Sequence, residues 1–216
     1  LRLGTDLQKS KYLPGLMSGD LTAAIALSEP GAGSDPSGMK TRAKNVAGGW
    51  QLSGSKIWVS NAADADFFIT FAVTGKAAND KPEVTAFLVD KQAPGMSIGR
   101  RIPMLSGWST YEVHFDKCHV DDEMVLGEVG QGWATMQKRL DARRVEAAAW
   151  SIGAARRALE MMVKLAPQRE TFGQPLADRQ AVQLWIADAQ TKIHASRLMC
   201  LNAAWKIDND IEARTE

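Results

Sequence analysis

Two short stretches of the sequence hold most of the residues whose type and spacing could do chemistry. The first, ALSEPGAGSDPSG at 26–38, sets Ser, Gly and Asp behind the apolar run LTAAIAL. Glycine reaches backbone conformations closed to other residues, while Ser and Asp side chains bond nearby N–H groups. A hairpin needs only about two to five residues, so a longer loop of this kind could present backbone N–H and hydroxyl groups as a cradle for phosphate. Its plain alternative is a solvent loop between two strands. The second stretch, QRETFGQPLADRQ at 168–180, mixes Arg169, Thr171, Phe172, Gly173 and Gln180. Read plainly, it is a connector in which Phe172 caps a core and Gly173 makes a turn, which leaves Arg169 without a role. Asp141 and Arg144 stand three apart and would share one face of a helix.

Other chemistries fail on spacing. Gly31, Gly33 and Gly38 give G-x-G-x-x-x-x-G ahead of the strand-like MKTRAKNV, neither the spacing nor the context of a dinucleotide fingerprint. GGWQLSGSK misplaces the lysine of a P-loop. Adjacent Cys118 and His119 would point to opposite faces of a strand, which gives no support for a Cys–His nucleophile. His114, His119 and His194 are the only histidines, with no H-x-x-x-H or C-x-x-C spacing, so no metal site is expected.

These residues must be positioned by two kinds of structure. From 21 to about 125, LTAAIALS, KTRAKNV, WQLSGSKIWVSN, DFFITFAVT, EVTAFLVD and YEVHFDKCHV read as short strands separated by Gly, Pro, Asn and Asp. Tyr111, Val113 and Phe115 alternate with Glu112, His114 and Asp116, giving the one apolar face of an antiparallel sheet. Strands at this spacing suggest a barrel or sandwich. From 130 the texture becomes helical: Trp133, Met136, Leu140, Val145, Ile152, Leu159 and Val163 recur at helical separations until Pro167. A second helix is expected from about Leu176 to Ile207, and IEARTE reads as the start of a third. Two such helices cannot bury their apolar faces alone. The first twenty residues read as the last turn of a helix and a linker, so both ends look like cuts through something larger. The expected fold class is α+β and multidomain: an antiparallel β-barrel or sandwich, then long antiparallel helices of an incomplete bundle.

Composition narrows the function classes. The 216 residues carry 26 basic and 25 acidic side chains, a net charge of +1 that gives no reason to expect nucleic acid or a membrane surface as partner. Hydrophobic residues make up 45%, but no apolar run approaches the roughly 20 residues that span a bilayer. No signal-peptide pattern opens the chain, and two cysteines fit a reducing compartment. The cytoplasm, or an organelle matrix, is the expected setting.

Taken together, SEPGAGSD, GSKIWVSN and RETFGQPLADRQ occur in the order and spacing of the acyl-CoA dehydrogenase flavoprotein family. QKSKYLPGLMSGD before them and LGEVGQGW after the strands match too, so the chain resembles that family over nearly its whole length. The resemblance implies the end of an N-terminal helical domain at 1–20, a middle β-domain at 21–125 that binds flavin and acyl-CoA, and the first part of a C-terminal helical domain at 126–216. It implies FAD as cofactor. Ala26, Leu27 and Ser28 would line the flavin, with the Ser28 hydroxyl on its pyrimidine edge. Gly31 and Gly33 would admit close backbone approach, and Ser34 would lie near a phosphate and the thioester. Trp58 would pack on the flavin beside Val59, with Ser60 near N5. Arg169 would reach the pyrophosphate of a neighbouring subunit's FAD, and Thr171, Phe172 and Gln180 the rest of that dinucleotide. Asp141 and Arg144 match a D-x-x-R that lines the acyl-CoA channel.

The reaction so implied is α,β-dehydrogenation of an acyl-CoA, with hydride passing to flavin N5 and electrons then to an electron-transferring flavoprotein or similar acceptor. The implied assembly is a homo-oligomer, dimer or tetramer. No catalytic residue is assigned. The family's minority position for the base, just before the arginine of D-x-x-R, is Arg143 here, which cannot act as a base; the base is then expected beyond Glu216. A non-catalytic scaffold, and a flavin oxidase or monooxygenase on the same fold, are the alternatives.

Overall fold

Apolar alternation from 23 to 121 produces strands, and the computed structural model describes residues 3–78, 80–105 and 107–213. These divide into two compact units, Leu1–Met136 and Gln137–Glu216.

The first unit opens with helix α1 (Asp6–Ser18), a full 13-residue helix rather than a last turn. Thr5 and Gln8 form a reciprocal capping box that satisfies its first N–H groups, and Gly19 closes it at φ 84°. Pro14 sits inside it, so helix here is favoured by packing rather than propensity. Tyr12 stacks on Phe67 at 4.2 Å and donates its hydroxyl to Asp90. Gln8 donates to the carbonyls of Glu123 and Val125.

Eight strands follow in one sheet: β1 (Ala23–Ala26), β2 (Arg42–Val46), β3 (Gly49–Ser60), β4 (Phe67–Lys76), β5 (Pro82–Asp90), β6 (Met96–Pro103), β7 (Ser109–Asp121) and β8 (Val125–Leu126). Their order is β6-β7-β3-β2-β4-β5-β8, with β1 also on β4. The pairing is antiparallel except at β4, where β1 and β2 both run parallel to it. The sequence reading missed β6 and the two-residue β8. β6 sits at the sheet edge against β7 alone, and its Ser97, Arg100 and Arg101 blur the alternation by which a half-buried strand is recognised.

Trp50, Leu52, Phe68, Phe87, Val113 and Phe115 lie in one buried cluster, with Trp50 and Phe87 rings 5.7 Å apart. Each fully buried large side chain there contributes about 1.5–3 kcal/mol relative to exposure. Glycine is required where strands crowd: a Cβ on Gly54, at φ 147°, would lie 2.6 Å from Thr41 Cα.

The second unit holds nearly all of helix α2 (Gly132–Leu165) and helix α3 (Gln180–Asp208), with the hairpin β9 (Glu170–Thr171) and β10 (Gln174–Pro175) between them in sequence. α3 starts four residues later than the pattern suggested, because Leu176–Asp178 form a 3-10 turn first. Residues 211–213 are not helical, and the rest of IEARTE lies outside the described residues.

Candidate functional site

The loop that carries the Gly and Ser residues leaves the sheet at a break along one edge of β4. β1 pairs with Phe67–Thr70, and β2 returns to the same edge with Arg42 opposite Val73. Everything between, from Leu27 to Thr41, arches out of the gap.

What fixes the arch is a buried ion pair. Lys56 Nζ lies 2.9 Å from Glu29 Oε1, with the two side chains 0% and 5% exposed. The same ammonium donates to the Leu27 carbonyl at 3.0 Å. The Glu29 carboxylate also accepts the backbone N–H groups of Lys40 (2.6 Å) and Thr41 (2.9 Å), so one side chain ties the start of the loop to its end. Ile57 N–H donates to the Ser28 carbonyl at 2.9 Å, and Glu29 and Ala32 exchange a pair of backbone bonds. Asp35 accepts from both the N–H and the hydroxyl of Ser37, capping the turn at Pro36–Gly38. Burial pushes the Lys56 ammonium down to about 8, against the opposing pull of Glu29. Burial would raise Glu29, but hydrogen bonds from Thr41 and Lys40 and the Lys56 charge together hold its carboxyl below the usual range.

A β-bulge in β3 places the next group. Lys56 pairs with Val113 and Val59 with Tyr111, so Ile57 and Trp58 face a single residue of β7. The extra residue reverses the alternation. Lys56 and Val59 both point inward, whereas Trp58 and Ser60 are exposed. Trp58 sits at φ 60° with 53% of its surface free, an uncommon conformation for a bulky residue and one that holds a large ring off the core.

The loop glycines do not serve the chain's own packing: a Cβ added at Gly31 or Gly33 would meet nothing within 4 Å. Ala32 between them is buried, so the loop is anchored at its centre with open space on either side. Leu27 and Ser28 are half-buried and Ser34 is exposed. Ala26 and Val59 are buried in the core, backbone included, so the structure puts them beneath the junction and not on its surface.

In the second unit the connector is a two-residue hairpin, Thr171 opposite Gln174, with Phe172 at φ 51° and Gly173 at φ 71°. Gly173 makes the turn as expected. Phe172 does not cap a core: its side chain is 99% exposed, because positive φ at both turn positions turns it away from the hairpin. Arg179 donates to the Thr171 carbonyl and fixes the hairpin against the start of α3, where Gln180 is the first residue. Arg169 is exposed.

Asp141 and Arg144 pair at 3.2 Å on α2, as their spacing predicts. Both line a groove of about 1180 Å³ with Val145, Ile152, Met199 and Cys200. Arg143 pairs with Glu146 at 3.0 Å and lies over the Trp150 ring at 5.1 Å.

The structure therefore gathers Leu27, Ser28, Trp58 and Ser60 around one junction of loop and bulge, and Arg169, Thr171, Phe172 and Gln180 around one hairpin. The Glu29–Lys56 pair was missed as the support of the first group. Its signal was weak: one lysine in a strand, GWQLSGSKIWVS, that already mixes polar and apolar residues. Among the described residues no three His, Cys, Asp or Glu side chains could hold a metal ion, and no helix is long and apolar enough to cross a membrane.

Comparison with known proteins agrees with the motifs. The family model "Acyl-CoA dehydrogenase, middle domain" matches residues 24–118, and "Acyl-CoA dehydrogenase, C-terminal domain" matches 130–216. A (R)-benzylsuccinyl-CoA dehydrogenase of Thauera aromatica is 44% identical over 206 residues, 95% of this chain and 51% of that protein. The butyryl-CoA dehydrogenase structure from Megasphaera elsdenii superposes with a TM-score of 0.91 at 34% identity, over 98% of this chain and 56% of that one. A structure described as an FAD complex of PigA gives a TM-score of 0.92 at 34% identity, over 98% and 56%. The chain thus spans about half the length of the relatives it matches. The two domain matches and these relatives together show that the chain belongs to the acyl-CoA dehydrogenase family.

Proposed function

We propose that this chain carries the flavin-binding part of an enzyme that dehydrogenates an acyl-CoA thioester between its α and β carbons. The observation that carries the reading is the arched loop 27–41, held rigidly from below by Glu29 and Lys56 while its glycines face open space beside an outward Trp58. A rigid cradle of N–H and hydroxyl groups beside an exposed aromatic plane suits a flavin dinucleotide. FAD, when bound, supplies the hydride acceptor.

In this reading the chain's own residues bind and orient. The Leu27–Ser28 backbone and the Ser28 and Ser60 hydroxyls meet the ring edge, Trp58 covers one face, and Ser34 sits toward the phosphates and the thioester. Asp141 and Arg144 line the acyl-CoA path along the groove of the second unit. The hairpin presents Arg169, Thr171, Phe172 and Gln180 to the dinucleotide of a neighbouring copy, which makes the working enzyme a homo-oligomer. Arg143, engaged by Glu146 and Trp150, is no base. The electron acceptor is an electron-transferring flavoprotein or a carrier of that class.

The test is direct. The full-length protein should purify yellow, and denaturing it should release FAD. Protein that stays colourless after incubation with FAD would sink the proposal.

A further inference from the structure

The ion pair beneath the loop asks for an explanation that packing does not supply. An inward position in β3 could be filled by Leu or Met, and an apolar replacement of a buried pair is often neutral or stabilising. The geometry offers one. Lys56 Nζ sits 3.0 Å from the Leu27 carbonyl and 2.9 Å from Glu29, which is itself locked by the N–H groups of Lys40 and Thr41. The Leu27 C=O is thereby drawn inward. No peptide bond among the described residues is cis, and in a trans peptide the N–H points opposite to the C=O. Drawing the Leu27 carbonyl toward Lys56 therefore turns the Ser28 N–H outward. One residue on, the Ser28 carbonyl is held by Ile57 N–H at 2.9 Å, so both peptide planes flanking Ser28 are fixed by consecutive residues of β3. Those two residues run directly into the bulge that puts Trp58 outside.

We propose that Lys56, held by Glu29, is a positioning residue for the flavin: by holding the Leu27 carbonyl inward it presents the Ser28 N–H as a fixed donor to the ring edge. The inference rests on the flavin site proposed above. Lys56 does not touch the cofactor. It sets the direction of a backbone donor and couples the loop to the strand that carries Trp58 and Ser60, so the two sides of the site move as one piece.

The experiment compares two double variants of the full-length protein, E29Q/K56M and E29Q/K56Q. Both remove the buried charges and introduce side chains of similar length, but only the K56Q change keeps an N–H donor that can reach toward the Leu27 carbonyl. Wild-type FAD binding is measured first; if wild type binds no FAD, the flavin reading itself fails and the positioning role falls with it. Where wild type binds, E29Q/K56Q should bind FAD within about twofold of it. E29Q/K56M should bind roughly three- to tenfold more weakly, the loss of about one hydrogen bond, with a shifted flavin absorption band. Equal affinity and identical spectra for the two variants would reduce Lys56 to a structural residue. A variant that fails to fold is replaced by amide hydrogen exchange on the wild type. The Ser28 amide should gain protection when FAD is added, and unchanged exchange in the FAD-bound protein would overturn the proposal.

Discussion

Lys56 and Glu29 meet at 2.9 Å inside the first unit, with at most 5% of either side chain exposed. Arg144 and Asp141 meet at 3.2 Å on α2 of the second unit, with 69% and 57% exposed. The chemistry is the same and the consequences differ. A buried pair, once formed, cannot lose one member without stranding the other in a low-dielectric interior, whereas an exposed pair is replaced by water at little cost. The apolar side chains divide the same way. In the first unit Leu52, Phe68, Phe87 and Val113 are fully enclosed. In the second, Trp150, Trp185, Leu198, Leu201 and Trp205 remain more than half exposed. The first unit closes its own core and can hold a loop rigidly. The second presents surfaces that its own two long helices do not cover, so what its residues do depends on what lies against them.

The comparison is broken most forcefully at Lys56. Lys56→Met leaves Glu29 charged and buried, and should destabilise the first unit by about 3–5 kcal/mol, read as a lowered urea midpoint at unchanged slope. A loss below about 1 kcal/mol would mean that water reaches the pair and that the two ion pairs are alike. Acid sharpens the same contrast. Because Glu29 titrates lower in the folded chain than its ordinary 4.5, its contribution is complete above that pH and drains away as pH falls through the folded value. Glu29→Gln should remove this part of the acid limb of the stability curve. If the variant keeps the wild-type acid profile, the carboxylate is not held as described.

Arg169 tests the second unit's dependence on a partner surface. It is exposed here, and under the proposed function it reaches a neighbour's pyrophosphate. Arg169→Ala should then weaken FAD binding in the full-length protein about ten- to a hundredfold, the equivalent of roughly 1.5–3 kcal/mol for a charge-assisted contact. Its own stability should hardly move. Unchanged FAD affinity would return Arg169 to an ordinary solvated connector.

Phe172 makes the point with the opposite sign. A bulky residue at φ 51° beside Gly173 at φ 71° is strained, and Asn-Gly is the preferred pair for a two-residue turn of this hand. Phe172→Asn should therefore stabilise the hairpin by about 1 kcal/mol while weakening FAD binding, if the exposed ring is there for a ligand. Stability that falls instead, seen as a lower Tm, would show that the ring supports the second unit after all.

How much of this could be read from residues alone follows the same division. β4 and β5 were legible because Phe67–Val73 and Val84–Val89 are almost continuously apolar, and α2 because its stripe persists to Pro167. The residues proposed to meet the cofactor were picked out by joint spacing, which needs no knowledge of packing. Three features were not. Edge strand β6 carries too many polar residues to alternate cleanly. The bulge at Ile57–Trp58 exists only in the pairing with β7, since nothing in KIWVS marks the extra residue. Glu29 and Lys56 are separated by 27 positions, and charges so far apart signal nothing until the fold brings them together. The plain reading of Phe172 as a core cap fails because hydrophobicity argues for burial, whereas positive φ at the turn leaves the residue exposed.

The smallest expected effect belongs to the exposed pair on α2. Asp141→Asn removes one charge from a contact in which both partners keep more than half of their side-chain surface in water. Coulomb attraction at that exposure is screened, and holding two long side chains in one geometry costs rotamer freedom, so such pairs contribute about 0–1 kcal/mol. The urea midpoint should therefore shift barely beyond error, and added salt should erase what shift there is. Stability is the wrong readout for this pair if its proposed role is correct. Both residues line the groove beside Val145, Ile152 and Met199, and losing the carboxylate frees Arg144 from its partner. Acyl-CoA affinity of the full-length protein should then change severalfold while stability stays put. A stability loss above about 2 kcal/mol would show that the two ion pairs are not opposites, and unchanged acyl-CoA affinity would remove Asp141 from the substrate path.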